Sequence, residues 1–189
     1  MLVFDLLSGV GIGMAIAALF IIRNNYHRNS EEEKKGGTVA TLTKELRDSF
    51  TPEEAVQMLH EGNRRFVSNL NLNRDHLKQV NDTSKEQHPF AFVLSCIDSR
   101  TSAELLFDQG LGDIFSCRIA GNILNDDIIG SMEFACKVAG AKVIMILGHS
   151  GCGAIKGACD HVEMGKLTGL LKKIQPSMKA ANLIKYNEG

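Results

Sequence analysis

The chain alternates between short, almost wholly apolar runs and longer stretches in which apolar residues recur at helical spacing. Three apolar runs have the length of buried strands, at residues 90–96, 113–120 and 141–147. Helical spacing marks residues 102–109, 126–138, 153–162 and 168–186. Apolar strands separated by helices are typical of a parallel sheet covered on both faces, so we predict an α/β fold with a parallel β-sheet core and flanking helices.

A further helix is predicted to begin at Thr51, ahead of the first strand. Thr51 is a capping residue, Pro52 suits the first helical position, and Glu54 completes a capping box. Gly62 interrupts the apolar face that follows, which predicts a bend in this helix. Residues 71–88 are polar and predict irregular or briefly helical chain.

Residues 6–22 form an uncharged apolar run at the short end of the length that spans a bilayer. We predict a transmembrane helix here. Two alternatives stay open: a signal peptide, which fits poorly because no basic residue precedes the run, and a buried soluble helix. Arg23 and Arg28 follow the run directly, so the positive-inside tendency predicts that the chain after it is cytoplasmic.

The charged segment at residues 30–37 ends in two glycines and has no apolar residue to bury, which predicts a mobile linker. This linker separates residues 1–29, the membrane helix with its basic flank, from a domain at residues 38–189. The length of 189 residues suits one domain with such an appendage.

The composition excludes two classes of protein. A net charge of -1 with scattered Lys and Arg argues against a nucleic-acid partner. Five cysteines are too few for a disulfide scaffold in a chain of this length. Metal ligands or free thiols in a reducing, cytoplasmic compartment are the better interpretation of these cysteines.

The candidate site combines residues that are far apart in the chain. Cys96 ends the first predicted strand, and His149 and Cys152 follow the third. In an open α/β sheet, sites form just outside the carboxyl ends of the strands. Two cysteines and one histidine can hold a zinc ion and leave its fourth position open, as catalytic sites do. The alternative is a pair of buried thiols and a core histidine, and a role for Cys159 as fourth ligand also stays open.

Asp98 and Arg100 leave the same strand end as Cys96, so we expect both near the metal. An arginine can lock a carboxylate through two parallel hydrogen bonds. A carboxylate held in this way can accept a proton and fix which lone pair of the nucleophile faces the substrate. Asp98 could instead bind the metal itself and shut the site, and an ordinary surface ion pair is the third interpretation.

Further motifs accompany these residues. They are Gln87-His88-Pro89, Cys96-x-Asp98-Ser99-Arg100, Ala120-Gly121-Asn122 and His149-Ser150-Gly151-Cys152-Gly153, with Gly62-Asn63-Arg64-Arg65-Phe66 before them and Ala154-Ile155-Lys156-Gly157-Ala158 after them. In this order and at this spacing the motifs resemble the β-class carbonic anhydrases, in particular their bacterial and plant-like branch. The resemblance covers roughly residues 50–185.

The resemblance implies a zinc-dependent lyase that catalyses the reversible hydration of carbon dioxide to bicarbonate and a proton. One zinc ion per chain would be bound by Cys96, His149 and Cys152. Asp98 and Arg100 would form the catalytic pair, and Gln87 would bind the substrate. The family also implies a homodimer or higher oligomer with active sites at the subunit interface.

Two departures from the family pattern raise expectations of their own. Ile119 stands where the family usually has Asn, which would change the lining of the pocket. The family usually continues through another strand and helix after residues 168–186, so we expect a C-terminally short domain or a fragment.

Residues 5–26 resemble the last membrane helix of SulP-type anion transporters, and a fragment of a transporter fused to a carbonic anhydrase domain is one alternative. A hydrolase of carbonyl sulfide or carbon disulfide and an inactive zinc-binding module are the others.

Overall fold

The three apolar runs become strands in a computed structural model that describes residues 38–181. They are β1 at Ala91–Ser95, β2 at Ile114–Arg118 and β3 at Val143–Leu147. All pairings are parallel, and the strand order is β2-β1-β3. The predicted parallel α/β core is therefore confirmed.

Helices surround this sheet. They are α1 Lys44–Ser49, α2 Pro52–Val67, α3 His76–Asp82, α4 Ala103–Leu106, α5 Asp126–Glu133, α6 Gly153–Cys159, α7 Gly165–Lys172 and α8 Gln175–Ala180. A 3-10 turn follows β2 at Ala120–Asn122, and a wider π-helical turn at Phe134–Val138 continues α5. The helices alternate with the strands, which is the order that parallel pairing requires.

The register of the strands sets the edge at which a site can form. Ser95, the last residue of β1, lies opposite Arg118 of β2 and Leu147 of β3. The three strands therefore end together, and the segments that follow β1 and β3 leave from adjacent positions of the same edge.

The central strand β1 is buried along its whole length. Ala91 and Val93 pack into a cluster with Leu59 of α2, while Phe92 and Leu94 pack into a second cluster on the α5 side. Successive side chains of a strand point to opposite faces, so a strand between two helical layers needs apolar residues at every position. This explains the unbroken apolar sequence of β1.

Coverage of the sheet is less complete at β3. Ile144 and Ile146 are 41% and 45% exposed, whereas Met145 between them is buried. In register with Phe92 and Leu94, the two isoleucines face the α5 side of the sheet. The expectation of a sheet covered on both faces thus holds for β1 and is wrong for this face of β3.

Helix α2 begins with the predicted capping box between Thr51 and Glu54. It then continues through Gly62 as one uninterrupted helix to Val67. A β-carbon at Gly62 would lie 1.7 Å from the carbonyl oxygen of Phe107. The glycine therefore permits close approach of α2 to the end of α4, where Asn63 Nδ2 donates to the Leu106 carbonyl oxygen at 2.9 Å.

The last predicted helix differs from the structure. Instead of one helix over residues 168–186, the described chain has α7 and α8, separated after Lys172 and Lys173. Pro176 lies in the first turn of α8. Proline has no amide hydrogen to continue a helix from the preceding turn but suits a helix start, which explains the division.

Some sequence-based predictions lie outside the described residues. These are the membrane helix at residues 6–22, its basic flank, the linker at residues 30–37 and the end of the chain beyond residue 181. Among residues 38–181, no helix has both the length and the apolar character needed to cross a membrane.

Candidate metal centre

The three predicted ligands come together at the carboxyl edge of the sheet. Cys96 directly follows β1, and His149 and Cys152 lie in the loop between β3 and α6. Their ligand atoms all lie within 4.8 Å of one another, and the two sulfur atoms are 3.9 Å apart. The strand register explains this meeting, because β1 and β3 are hydrogen-bonded neighbours.

His149 presents one ring nitrogen to the cluster. Its Nδ1 lies 3.0 Å from the Ser150 carbonyl oxygen, which favours the tautomer with the proton on Nδ1. The Nε2 atom is buried and makes no hydrogen bond of normal geometry within the described part of the chain, while the ring lies beside the Cys96 thiol. A buried nitrogen left unpaired is unfavourable, and coordination of a metal ion would satisfy it.

Cys96 is suited to act as a thiolate. Burial raises the pKa of its thiol, but the backbone amide of Gly121, the His149 ring and the Asp98 amide lower it, and the pKa falls from 9.0 to about 7. Thiolate sulfur is the form that binds metal ions. Two cysteine sulfurs and one imidazole nitrogen match the ligand chemistry of zinc, with a fourth position left for a small molecule.

Asp98 is held by Arg100 beside this cluster. Its Oδ1 accepts from Arg100 N at 3.0 Å and Nε at 2.9 Å, and its Oδ2 accepts from Nη2 at 2.8 Å. The guanidinium and its hydrogen bonds hold the pKa of Asp98 well below its usual range. Oδ2 is 3.7 Å from His149 Nδ1, so the ionised carboxylate borders the ligand cluster.

This geometry bears on the alternatives for Asp98. The candidate metal-binding group among the described residues consists of Cys96, His149 and Cys152. Asp98 is not part of this group and is paired with Arg100. Cys159 lies outside the group as well and packs in a cluster with Ala158.

The loop that carries Cys96 and Asp98 has two supports that were not predicted from the sequence. Thr101 Oγ1 lies 3.1 Å from the Cys96 carbonyl oxygen and 2.9 Å from that of Asp98. Arg118 Nε donates to the Cys96 carbonyl oxygen at 3.0 Å, and its Nη2 donates to that of Asp98 at 2.6 Å. The sequence offered one signal for Arg118: it lies near the end of the second predicted strand, at the same edge of the sheet as Cys96.

The turn after β2 reaches both ligand-bearing segments. Gly121 has φ +68°, a conformation that favours glycine, and a β-carbon there would lie 2.6 Å from Ile174 Cδ1, which would have to shift. Its amide contributes to the low pKa of Cys96. The next residue, Asn122, donates from Nδ2 to the Leu147 carbonyl oxygen at 2.8 Å. One short turn thus contacts Cys96 and the end of β3.

The family model for carbonic anhydrases matches residues 91–188, just over half of the chain. The chain belongs to the carbonic anhydrase family. It is 35% identical over 133 residues to a carbonic anhydrase of Mycolicibacterium smegmatis and 37% identical over 136 residues to carbonic anhydrase 2 of Mycobacterium tuberculosis. Each alignment covers 67% of this chain but only 65% and 64% of the two relatives, slightly less than two thirds of their length.

The fold agrees with the β-class of that family. The structure of the β-carbonic anhydrase CcaA superposes with a TM-score of 0.53 at 28% identity, and the match covers 71% of this chain and 69% of that one. The matched range of the family model contains Cys96, His149 and Cys152. It does not contain the segment that resembles an anion transporter, which also precedes the described residues.

Gln87 is the predicted site residue that lies apart from the others. It is exposed and precedes the amino end of β1, whereas Cys96 follows the carboxyl end. A strand of this length separates its two ends by roughly 13 Å. Within the described part of a single carbonic anhydrase chain, Gln87 is therefore not brought to the ligand cluster.

The departure at Ile119 has a structural setting too. Its side chain packs against the Phe92 cluster and against a further cluster that contains Ile123 and Ile174. Its amide donates to the Ser95 carbonyl oxygen at 2.9 Å. Ile119 thus joins two parts of the core, whereas the sequence pattern had suggested an effect on the pocket lining.

Proposed function

We propose that this chain is a zinc-dependent carbonic anhydrase, which catalyses the reversible conversion of carbon dioxide and water into bicarbonate and a proton. The observation that carries the proposal is the cluster of Cys96, His149 and Cys152 beside a carboxylate locked by Arg100. Membership of the carbonic anhydrase family supports the same reaction.

Zinc bound to these three residues would act as a Lewis acid that activates water for attack on carbon dioxide. Two thiolate ligands cancel the formal charge of the ion, which weakens its effect on the water. Help from the protein is then more important. The buried Nε2 of His149 and the low pKa of Cys96 support one zinc ion per chain at this site.

Asp98 supplies that help as a hydrogen-bond acceptor. Arg100 occupies Oδ1 twice and Oδ2 once, which leaves acceptor capacity on Oδ2, the oxygen nearer His149. An acceptor at this position orients the attacking water so that a lone pair faces carbon. Because the pKa of Asp98 is well below its usual range, the carboxylate does not retain the proton, which passes to solvent.

The test is stopped-flow measurement of carbon dioxide hydration on the purified 189-residue chain, with zinc content measured on the same sample. We expect about one zinc ion per chain and hydration that is lost on removal of zinc and restored on its return. A zinc-loaded chain that hydrolyses carbonyl sulfide or carbon disulfide but does not hydrate carbon dioxide would overturn the proposal.

We further propose that the active form is a homodimer or a higher oligomer in which one subunit supplies Gln87 to the site of another. The separation of Gln87 from Cys96 within one chain supports this arrangement. A solved fungal relative, described as tetrameric, shows that oligomers occur on this fold.

Mixing of two inactive variants tests the shared site. Co-assembly of Gln87→Ala and Asp98→Asn chains creates hybrid dimers in which one site has both residues intact. We expect activity to return on mixing and to be absent from either variant alone. Purely additive residual activity in hybrids, verified by mass, would contradict the shared site.

For residues 6–22 we propose a membrane tether with the catalytic domain on the cytoplasmic side. The uncharged apolar run and the arginines that follow it support this proposal. Extraction of membranes with alkaline carbonate tests it: a tethered chain stays in the pellet, and release of the intact chain into the supernatant would contradict the tether.

A further inference from the structure

The loop after β1 presents two backbone carbonyl groups that must be held if the ligand and the carboxylate are to keep their places. They belong to Cys96 and Asp98. The Thr101 hydroxyl lies within hydrogen-bond distance of both, but it carries a single hydrogen and can donate to only one at a time. The Thr101 backbone amide also donates to the Asp98 carbonyl oxygen at 3.0 Å. Each carbonyl oxygen has a second lone pair that can accept from a further donor.

Arg118 is built to hold both carbonyl groups together. Its Nε and Nη2 donate to the Cys96 and Asp98 carbonyl oxygens at 3.0 and 2.6 Å. The guanidinium is planar, with donors in a fixed fork, so the two bonds set the spacing of the two acceptors. Lysine has one nitrogen on a flexible stem and cannot reproduce this spacing.

The base of Arg118 is fixed as well. It is the last residue of β2 and lies opposite Ser95 in the parallel ladder. The next amide, that of Ile119, continues the pairing by donating to the Ser95 carbonyl oxygen at 2.9 Å. The fork therefore reaches the loop from a rigid strand end.

We propose that Arg118 is a positioning residue that fixes Cys96 as a metal ligand and Asp98 as an acceptor by holding both of their carbonyl groups. The inference rests on the proposed function of the site. Residues that orient metal ligands from outside the coordination sphere commonly change metal affinity or activity about 10- to 100-fold when replaced.

A competing role would be direct binding of the bicarbonate anion. Arg118 lines a cavity of about 760 Å³ between β2 and α5, which is also lined by Asp126, Asp127 and Ser131. Two carboxylates beside one guanidinium make this cavity unfavourable for an anion. The Nε and Nη2 donors of the guanidinium, in contrast, already point to backbone oxygens of the loop.

The experiment compares Arg118→Lys and Arg118→Ala with the parent and with Arg64→Lys. Arg64 is a suitable control because its side chain is 72% exposed and forms a loose surface ion pair, with Nη2 3.6 Å from Glu61 Oε1. Zinc affinity is measured by competition with a chromophoric chelator, and the ligand field by the absorption spectrum after cobalt(II) replacement. Steady-state hydration gives kcat and KM, and thermal unfolding verifies that each variant is folded.

We expect Arg118→Lys to bind zinc about 10-fold more weakly and to change the cobalt(II) spectrum. We also expect kcat to fall about 10-fold with KM unchanged. Added guanidinium should restore kcat of Arg118→Ala, whereas methylammonium should not. Parent-like zinc affinity and cobalt(II) spectrum in both folded variants would overturn the inference, as would a change confined to KM.

The readouts separate this inference from the proposed function. If the parent binds zinc without hydrating carbon dioxide, the proposed function fails, and zinc affinity and the cobalt(II) spectrum still decide the role of Arg118. If the parent hydrates carbon dioxide and Arg118→Lys matches it in every readout, only the inference about Arg118 fails.

Discussion

The loop after β1 and the loop after β3 supply ligands to the same cluster, yet the chain supports them differently. In the first loop, Arg100 holds the Asp98 carboxylate, and Thr101 and Arg118 hold backbone carbonyl groups. In the second, Gly148 and Gly151 border open space, where an added β-carbon would meet nothing within 4 Å.

His149 shows what this difference means. Its Nδ1 lies within hydrogen-bond distance of the neighbouring Ser150 carbonyl oxygen, and its buried Nε2 makes no hydrogen bond of normal geometry within residues 38–181. The first loop thus has its geometry fixed by two of its own side chains and by Arg118 from the end of β2. In the second loop, His149 has a buried ring nitrogen that a bound metal ion would satisfy. Each loop should therefore respond differently to substitution.

Loss of a ligand from either loop should have the largest effect. We expect Cys96→Ser and His149→Ala to lose most bound zinc, because two remaining protein ligands do not make a stable zinc site. Elemental analysis of the purified chains measures this. Cys136→Ser is the control, since Cys136 packs in the Phe92 cluster away from the ligands. Full zinc content in both ligand variants would refute the assignment.

Replacement of the carboxylate should separate catalysis from metal binding. We expect Asp98→Asn to keep its zinc but to hydrate carbon dioxide about 100-fold more slowly, the usual scale for loss of a general acid–base group. Metal analysis and stopped-flow rates on one sample measure both. The control is Asp160→Asn, which removes only a surface ion pair with Lys156. An unchanged hydration rate in Asp98→Asn would exclude the proposed role.

Helix α4, which follows the first loop, ends against α2, and Gly62→Ala tests that contact. The new β-carbon would overlap the Phe107 carbonyl oxygen, so α2 must move away from the end of α4. We expect the free energy of unfolding to fall by about 3 kcal/mol in urea titrations. Gly130→Ala is the control, because its β-carbon meets nothing within 4 Å, and it should gain about 0.5 kcal/mol. Equal stabilities would show that the contact is unimportant.

Much of the fold and of the ligand cluster could be predicted from the sequence, because buried strands and metal ligands are recognisable from the types of their side chains. The apolar runs predicted a parallel sheet, and that topology predicted the meeting of Cys96 with His149. The hydrogen bonds from Arg118 to the loop after β1 could not be predicted, because their acceptors are backbone carbonyl groups, which every residue carries. Gln87 lies beyond the amino end of β1, away from the ligands at its carboxyl end, and the motif that assigned it to the site does not encode this separation. Pro176 was a signal for the division between α7 and α8 that the helical spacing concealed.

The smallest effect should come from the hydrogen bond that ties the second loop to the core. Asn122 Nδ2 donates to the Leu147 carbonyl oxygen, two residues before His149. We expect Asn122→Gly to lower the free energy of unfolding by about 1 kcal/mol. Glycine is the replacement of choice because Asn122 has φ +52°, which alanine would adopt only with strain.

A matched variant makes this last prediction specific to the metal loop. Asn63 donates through the same amide group to the Leu106 carbonyl oxygen on the α2 side, so Asn63→Ala should cost a similar free energy of unfolding. Only Asn122→Gly should also weaken zinc binding, because only it loosens the strand end that leads to His149. Chelator competition on both variants measures the difference, and equal zinc affinities would mean that the second loop derives its order from the metal alone.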